Sequence, residues 1–224
     1  DSVRAYFALV ERLSAGEPLQ YLTGRMEFYG LEFEVNPSVL IPRPETEVMV
    51  EKALSVATGY ASPVIADIGC GSGAVAVALA RNLPQAVITA VDVSPAALSL
   101  AQVNAVRHGC TNISFTKSDL LENIAGEHFD IICANLPYVP SLEARENHFE
   151  PKTALDGGPD GLDIIRALVH QVTGLEHQPD WLLLEFGTGQ AAEIKSIMTR
   201  YLPAGNTDIL KDLIPLERLA VIRL

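Results

Sequence analysis

Apolar residues recur with two different periods in the first part of the chain. Over residues 2–14 they are spaced three or four positions apart, which predicts an amphipathic helix. Residues 25–41 contain two short apolar runs separated by a glycine, which predicts a β-hairpin. A second helix is predicted over residues 45–57, because Pro44 is well suited to its first turn. A helix, a hairpin and a second helix therefore precede the rest of the chain.

From residue 63 onward, short apolar runs alternate with longer helical patterns. Strands are predicted at 63–68, 86–91, 113–116, 129–134 and 181–185. Helices are predicted at 74–82, 95–108, 162–175 and 190–202. The apolar end of 207–224 predicts a final antiparallel pair of strands. Such an alternation is typical of an α/β fold in which a mostly parallel sheet has helices on both faces.

One long segment, residues 139–161, shows neither period. It follows the strand predicted at 129–134, and ligands bind at the carboxyl ends of the strands in such sheets. Long segments without secondary structure often form active-site loops or lids. We therefore expect this segment to cover part of a ligand site.

Three glycines, Gly69, Gly71 and Gly73, lie between a predicted strand and a predicted helix. Glycine allows positive φ angles and a close approach of the backbone to a ligand, and the helix that follows presents unpaired N–H groups. Asp92 ends the next strand, where an acidic residue commonly binds ribose hydroxyls. The pattern fits both a dinucleotide site and an S-adenosylmethionine site, and a glycine turn without a ligand is the simplest alternative.

Three features favour S-adenosylmethionine over a dinucleotide. Asp67 precedes the glycines, where its carboxylate can orient the loop or meet a ligand ammonium through water. Asp119 follows the third strand, within reach of an adenine amino group. The strand at 129–134 ends in the turn 135–138, which hydride transfer would not require. Each of the two carboxylates also has a simpler interpretation as a cap or a turn residue.

The turn 135–138 has the sequence Asn-Leu-Pro-Tyr and offers acceptors to a planar amino group. Asn135 Oδ1 and the Leu136 carbonyl can accept two N–H bonds, and Pro137 contributes no competing donor. Tyr138 offers an aromatic face to such a planar group. The turn could place the amino nitrogen in line with the sulfur of a methyl donor. In the alternative interpretation Asn135 is only a turn residue and Tyr138 belongs to the core.

Composition and charge limit the cellular location and the class of partner that we expect. The chain has 224 residues and a net charge of -12, which argues against a domain that grips nucleic-acid phosphates. Hydrophobic residues make up 48%, but no apolar run reaches membrane-spanning length, so we expect a globular protein without a membrane segment. Three cysteines and five scattered histidines show no metal-ligand spacing. We therefore expect no metal and a reducing, cytoplasmic location.

Seven segments resemble the HemK/PrmC family of protein N5-glutamine methyltransferases. The most specific is 39–47, Val-Leu-Ile-Pro-Arg-Pro-Glu-Thr-Glu, whereas the glycine loop at 67–73 is common to methyltransferases in general. The other segments are 17–24, 91–92, 118–120, 135–138 and 154–162. The resemblance extends over nearly the whole chain.

This resemblance implies a fold, a reaction and a partner. The fold would be the class I S-adenosylmethionine-dependent methyltransferase fold, a Rossmann-like α/β fold with a mostly parallel seven-stranded sheet. The substrate would be the glutamine of the Gly-Gly-Gln motif in a peptide-chain release factor, and the enzyme would act as a monomer. Residues 1–24 would be the remnant of an N-terminal helical domain with its linker, followed by a methyltransferase domain at 25–224 that begins with the hairpin at 25–41.

The resemblance also assigns residues to the two ligands. Cofactor binding is implied for Gly69, Cys70, Gly71, Ser72, Gly73, Asp92 and Leu120, with Asn135 close to the cofactor as well. Substrate binding and catalysis are implied for Asn135, Leu136, Pro137 and Tyr138. Arg43 lies between two prolines, where binding of a carboxylate and support of the hairpin fit equally well.

One departure from the family pattern keeps a second function open. The family turn is usually Asn-Pro-Pro-Tyr, and here Leu136 replaces the first proline. Asn-Leu-Pro-Tyr also occurs in RNA dimethyladenosine methyltransferases, so an adenine-N6 methyltransferase acting on RNA or DNA is the main alternative. A non-catalytic cofactor-binding module and an NAD dehydrogenase are weaker alternatives.

Overall fold

The chain is described by a computed structural model that covers residues 2–212 and 214–224. It begins with helices α1 (Ser2–Ser14) and α2 (Leu19–Thr23) and a hairpin of strands β1 (Arg25–Phe28) and β2 (Leu31–Glu34). A 3-10 turn, Pro44–Thr46, then leads into helix α3 (Glu47–Ala57). The predicted helix at 45–57 therefore starts as a tighter turn. The sequence pattern missed α2, because five residues are too few to show a helical period.

Four strands and two helices build the first half of the main sheet. They are β3 (Val64–Ile68), α4 (Ala74–Asn82), β4 (Val87–Asp92), α5 (Pro95–Arg107), β5 (Ile113–Lys117) and β6 (Ile131–Ala134). All lie close to their predicted positions. Helix α5 begins at a strong local signal, since Ser94 Oγ accepts a hydrogen bond from Ala97 N at 3.3 Å and Pro95 occupies the first helical position.

The second half of the sheet follows the long segment 139–161. Its elements are α6 (Ser141–Ala144), α7 (Asp163–Thr173), β7 (Trp181–Glu185), α8 (Ala191–Tyr201), β8 (Asn206–Lys211) and β9 (Glu217–Arg223). The segment 139–161 contains α6 and a 3-10 turn at Lys152–Ala154, so it is not without secondary structure as predicted. Both elements are too short to produce a periodic pattern in the sequence.

The seven strands of the main sheet follow the order β5-β4-β3-β6-β7-β9-β8. The first five are parallel, whereas β9 is antiparallel to both of its neighbours. The predicted mostly parallel sheet and its final antiparallel pair are therefore confirmed. Strand order reverses between β3 and β6, so the carboxyl ends of these strands and of β4 meet where α/β sheets bind ligands.

Two apolar layers cover the faces of this sheet. One includes α4, which is buried continuously from Ala74 to Ala80, and the other includes the apolar faces of α7 and α8. The close contact between α4 and α5 depends on Gly73, because a Cβ there would lie 3.0 Å from the Cβ of Ala101. The absence of a side chain at Gly73 therefore allows α5 to approach the glycine loop closely.

Helix α1 contacts α2 and leaves its apolar side chains exposed, including Val3, Tyr6 and Phe7. The boundary between 1–24 and 25–224 stays a prediction. Within residues 2–212 and 214–224, no helix combines the length and the apolar character needed to cross a bilayer.

Candidate active site

A cavity of about 480 Å³ opens at the carboxyl ends of β3, β4 and β6. Its walls come from the glycine loop after β3, the end of β4, the turn after β6 and the segment 139–161. The predicted site residues that line it are Gly69, Cys70, Gly71, Ser72, Asp92, Leu120, Asn135, Leu136 and Pro137. The structure therefore brings the two predicted ligand sites together in one cavity. Gly73 and Tyr138, also predicted, are not among the residues that line it.

The glycine loop is held against the end of β4 by backbone N–H groups. Those of Gly69 and Cys70 both donate to the Val91 carbonyl at 2.9 Å, and that of Gly71 donates to Asp92 Oδ2 at 2.9 Å. Gly69 and Gly71 have φ angles of 73° and 54°, which a side chain would strain. The strand that carries Asp92 therefore fixes the conformation of the loop.

Asp67 supports the loop from beneath. Its Oδ2 accepts a hydrogen bond at 3.0 Å from the N–H of Ala76 in the first turn of α4, and the residue is 2% exposed. Burial raises the pKa of Asp67 to about 7, although the bond from Ala76 opposes the shift. The negative charge of Asp92 adds to the increase. The hydrogen bond fits the loop-orienting role expected for Asp67, which also lines the cavity.

Asp92 ends β4 with both carboxylate oxygens engaged. Oδ1 accepts a hydrogen bond from Ser94 N at 2.8 Å, and Oδ2 accepts the bond from Gly71. Burial raises the pKa of Asp92, and these backbone bonds oppose the shift. Each carboxylate oxygen has a second lone pair, so each can still accept a hydrogen bond from a ligand hydroxyl. Asp92 therefore retains the capacity to bind a ribose.

Residues 118–120 form the neighbouring wall of the cavity. Leu120 has a φ of 51°, a left-handed conformation that is costly for a bulky side chain. Strained residues of this kind cluster at ligand sites. Asp119 is exposed and lines the cavity beside Leu120. An apolar side chain and a carboxylate together suit a flat ring that carries an amino group.

Asn135 is held by a hydrogen bond to a distant part of the chain. Its Nδ2 donates to Oγ1 of Thr46 at 3.0 Å. Thr46 is buried and ends the 3-10 turn that precedes α3. None of the residues covered by the structure donates to Oδ1 of Asn135, so this oxygen remains the acceptor available at the cavity wall.

Leu136 packs directly against the glycine loop. It is 4% exposed, and a Cβ on Gly69 would lie 3.1 Å from its Cδ2. The substitution of leucine for the usual proline therefore places an apolar contact between the turn and the loop. The backbone carbonyl of Leu136, which is the group expected to bind substrate, does not depend on this change of side chain.

Tyr138 is directed toward the interior behind the turn. Its hydroxyl donates to Glu185 Oε1 at 3.2 Å, and burial raises the pKa of the phenol above its usual value. Its carbonyl accepts a hydrogen bond from Gln190 Nε2 at 3.0 Å. Packing of the Tyr138 ring on a substrate amide stays a prediction.

The segment 139–161 packs tightly onto the turn. Val139 and Asp156 form an isolated parallel bridge. A Cβ on Gly157 would lie 2.5 Å from the Pro137 carbonyl oxygen, and one on Gly161 would lie 2.2 Å from that of Tyr138. The two glycines therefore allow the segment to form one wall of the cavity, which agrees with the site-covering role expected from its sequence.

Three residues near the turn were not among the predicted site residues. Arg43 lines the cavity and forms an ion pair with Glu150, a carboxylate of this chain. Thr46 and Glu185 are buried beside Asn135 and Tyr138. In the sequence, Glu185 is recognisable as a carboxylate at the end of an otherwise apolar strand. Burying a carboxylate costs free energy, so its presence there indicates a specific role.

The cysteines do not supply a reactive group to the cavity. Cys70 lines it, but burial raises the pKa of its thiol well above the usual value, so the reactive thiolate is disfavoured. Within the described ranges, no group of three or more His, Cys, Asp or Glu side chains is arranged to hold a metal ion.

Solved structures of other proteins share this fold. The hMettl16 catalytic domain in complex with a 3'UTR hairpin superposes with a TM-score of 0.70 at 19% identity, covering 87% of this chain and 76% of that one. A ribosomal protein L11 methylase from Lactobacillus delbrueckii subsp. bulgaricus gives a TM-score of 0.62 at 20% identity, covering 84% and 83%. With the sheet order described above, these similarities confirm the class I S-adenosylmethionine-dependent methyltransferase fold.

Comparison with known sequences identifies the family more specifically than comparison with solved structures. Residues 46–150 match the family model of the methyltransferase small domain. The release factor glutamine methyltransferase of Geobacter sulfurreducens is 43% identical over 205 residues, covering 89% of this chain and 71% of that protein. That of Moorella thermoacetica is 42% identical over 212 residues, covering 92% and 75%. The chain therefore belongs to the family of release factor glutamine methyltransferases.

Proposed function

We propose that this protein transfers a methyl group from S-adenosylmethionine to N5, the side-chain amide nitrogen, of the glutamine in the Gly-Gly-Gln motif of a peptide-chain release factor. The observation that carries the proposal is the orientation of Asn135, whose Nδ2 is held by Thr46 while Oδ1 remains available at the cavity wall. A glutamine amide has two N–H donors. Asn135 Oδ1 and the Leu136 carbonyl are the two acceptors that hold its nitrogen in one orientation.

The other walls of the cavity fit the cofactor. Asp92 retains lone pairs for the two ribose hydroxyls, and Asp119 and Leu120 suit the adenine ring. The glycine loop allows close approach of the backbone, beside the positive end of the α4 dipole. When bound, S-adenosylmethionine supplies an electrophilic methyl group on a positively charged sulfur.

Methyl transfer in this site relies on placement. The lone pair of a glutamine nitrogen is delocalised into its carbonyl group, and common side chains do not deprotonate an amide at neutral pH. Asn135 and Leu136 would instead hold the nitrogen facing the methyl group of a bound donor, and placement of this kind contributes several kcal/mol. The donor would supply the methyl group and lose it from sulfur, and the product nitrogen would release a proton.

The charge of the protein supports a protein substrate over a nucleic acid. A net charge of -12 disfavours binding through phosphate contacts, which dominate affinity for RNA and DNA. The same acceptor pair would also fit the amino group of an adenine. The experiment that tests the proposal therefore offers both classes of substrate.

The protein is incubated with S-adenosylmethionine carrying an isotopically labelled methyl group and with release factor, RNA or DNA in separate reactions. Mass spectrometry of the digested release factor is expected to find one labelled methyl group on the Gly-Gly-Gln glutamine. A release factor with alanine in place of that glutamine is the matched control and should remain unlabelled. An unmodified release factor would contradict the proposal, and labelling of RNA or DNA alone would favour the adenine-N6 alternative.

A further inference from the structure

A buried carboxylate lies behind the turn that contacts the substrate. Glu185 ends β7, and the preceding residue, Leu184, pairs with Ala134 at the end of β6. Glu185 is 1% exposed. Its Oε1 accepts the hydrogen bond from Tyr138, while its Oε2 has no hydrogen-bond partner of normal geometry among the residues that the structure describes. An unpaired buried oxygen is costly, so its position calls for an explanation.

Thr46 lies close to both this carboxylate and the Asn135 amide. Its hydroxyl accepts a hydrogen bond from Asn135 Nδ2 at 3.0 Å, so its one hydrogen is left for another acceptor. The proximity of this hydroxyl lowers the pKa of Glu185, although the contact falls short of normal hydrogen-bond geometry. A hydrogen bond between the two groups would require a small movement of the Thr46 or Glu185 side chain.

The protonation state of Glu185 decides whether the direction of this chain of hydrogen bonds is fixed. An ionised carboxylate only accepts hydrogen bonds. Thr46 must then donate to Glu185 and accept from Asn135, which directs Asn135 Oδ1 to the cavity. A protonated Glu185 would instead donate to Thr46. The single hydrogen of Thr46 would then be free for Asn135 Oδ1. The amide would no longer be held in one orientation and could turn to present its NH2 group to the cavity.

We propose that Glu185 is a positioning residue that, through Thr46, keeps the Asn135 amide in the orientation that accepts a hydrogen bond from the substrate. This inference rests on the proposed function, because only an amino-bearing substrate requires Oδ1 at the cavity wall. In the turned orientation, the NH2 group of Asn135 would face the N–H donors of the substrate. No hydrogen bond could then form between them.

The charged and titratable groups that face Glu185 come from several elements. Burial raises the pKa of Glu185 to about 7, and the charge of Glu45 acts in the same direction. The hydroxyls of Thr46 and Tyr138 and the charge of Arg218 oppose the shift. The productive orientation is therefore expected to gain population as pH rises through about 7, and kcat should rise with it.

The first test compares the pH dependence of methyl transfer in wild type and Glu185→Gln. The Tyr138 hydroxyl keeps Oε1 as its acceptor, so the variant places an NH2 group where Oε2 was and mimics the protonated acid. We expect a loss of about 100-fold in kcat, on the scale of misplaced reacting groups. The rise of kcat through about pH 7 should disappear, while calorimetry should give an unchanged Kd for S-adenosylmethionine.

Two matched comparisons separate positioning from loss of structure. Asp130→Asn removes a carboxylate at the other end of the sheet, where it accepts a hydrogen bond from Val64 N, and should retain the wild-type pH profile. Thr46→Ser keeps the hydroxyl and should retain most of kcat, whereas Thr46→Val should lose it. Wild-type kcat with an unchanged pH profile in Glu185→Gln would overturn the inference.

A second readout does not require methyl transfer. The side-chain amide of Asn135, labelled with nitrogen-15 and identified by its loss in Asn135→Ala, should shift with pH in wild type and stay constant in Glu185→Gln. If wild type methylates no release factor, the proposed function fails while this titration still tests the role of Glu185. A pH-independent wild-type signal would refute that role even in an active enzyme.

Discussion

The guanidinium of Arg43 lies 2.6 Å from the carboxylate of Glu150, which is 107 residues further along the chain. The same carboxylate accepts hydrogen bonds from Ile41 N at 3.1 Å and from Asn147 Nδ2 at 3.0 Å. These contacts join the segment before α3 to the segment 139–161, and both segments contribute residues to the cavity wall. The ion pair therefore fixes these two parts of the wall against each other.

A double-mutant cycle of Arg43→Met and Glu150→Gln should reveal coupling between these walls. Glu150 is 4% exposed at its side chain and Arg43 is 38% exposed, so solvent weakens the pair. We expect a coupling of about 1 kcal/mol in the free energy of unfolding, measured with denaturant. The exposed pair of Arg166 and Asp160 is the comparison and should couple more weakly. If Arg43→Met and Glu150→Gln change the free energy of unfolding additively, the ion pair does not couple the two parts of the cavity wall.

Asn135→Ala should impair methyl transfer without impairing cofactor binding. The variant removes one of the two acceptors for the substrate nitrogen, and we expect kcat to fall about 100-fold. Calorimetry with S-adenosylmethionine should give a Kd close to that of wild type. Asn82→Ala, which removes a hydrogen bond to Ala78 O in α4, is the control and should leave kcat unchanged. Full transfer by Asn135→Ala would eliminate the proposed role of this amide.

Asp92→Asn should weaken cofactor binding. The amide keeps an acceptor for one of the backbone N–H groups of Gly71 and Ser94, but it presents an NH2 group where a ribose hydroxyl would donate. We expect a loss of about 1–3 kcal/mol, or roughly ten- to hundredfold in Kd. Calorimetry measures the change, with Asp180→Asn as a control outside the cavity wall. An unchanged Kd would show that Asp92 serves only to hold the loop.

Gly157→Ala should distort the turn 135–138. A Cβ at this position would lie 2.4 Å from the Gly161 carbonyl oxygen and 2.5 Å from that of Pro137, so the backbone must move. We expect a loss of stability of about 1–3 kcal/mol and a lower kcat/KM for the release factor. Gly126→Ala is the matched control, because no atom lies within 4 Å of its added Cβ. Equal stability and equal kcat/KM in the two variants would contradict tight packing at Gly157.

Asp67→Asn should change how stability depends on pH. The pKa of Asp67 is raised from 3.8 to about 7 by burial, so between these values the folded state holds a proton that the unfolded state releases. Stability from this group is fully present below pH 3.8 and is lost as pH rises through about 7. The loss reaches about 1.4 kcal/mol per pH unit.

The variant retains an acceptor for Ala76 N and does not titrate. Denaturant unfolding of both proteins at a series of pH values gives the difference in their free energies, in which the other titrating groups cancel. This difference should grow in favour of Asp67→Asn as pH rises through the interval. A difference independent of pH would mean that the carboxyl titrates alike in the folded and unfolded states.

The parts of the fold that were predictable from sequence depend on local spacing. Strand β3, the glycine loop and helix α4 follow one another directly, so apolar runs and glycines locate them. The contact between Asn135 and Thr46 joins residues 89 positions apart. It depends on how the turn before α3 packs against the end of β6, which periodicity does not encode. Sequence marks Glu185 as a carboxylate at the end of an apolar strand, but the groups it meets are set by tertiary structure, because the neighbours of β7 are distant in sequence.

Strand β9 comes after every other strand along the described chain, yet it lies inside the sheet between β7 and β8. While the chain is being synthesised, β7 has only β6 as a neighbour until β9 has left the ribosome. Glu185 pairs with Leu219 of β9, so it lies at an open sheet edge during that interval. Because domains generally fold as units, the sheet that carries the cavity can be completed only after β9 has emerged, and Glu185 is enclosed in that last step.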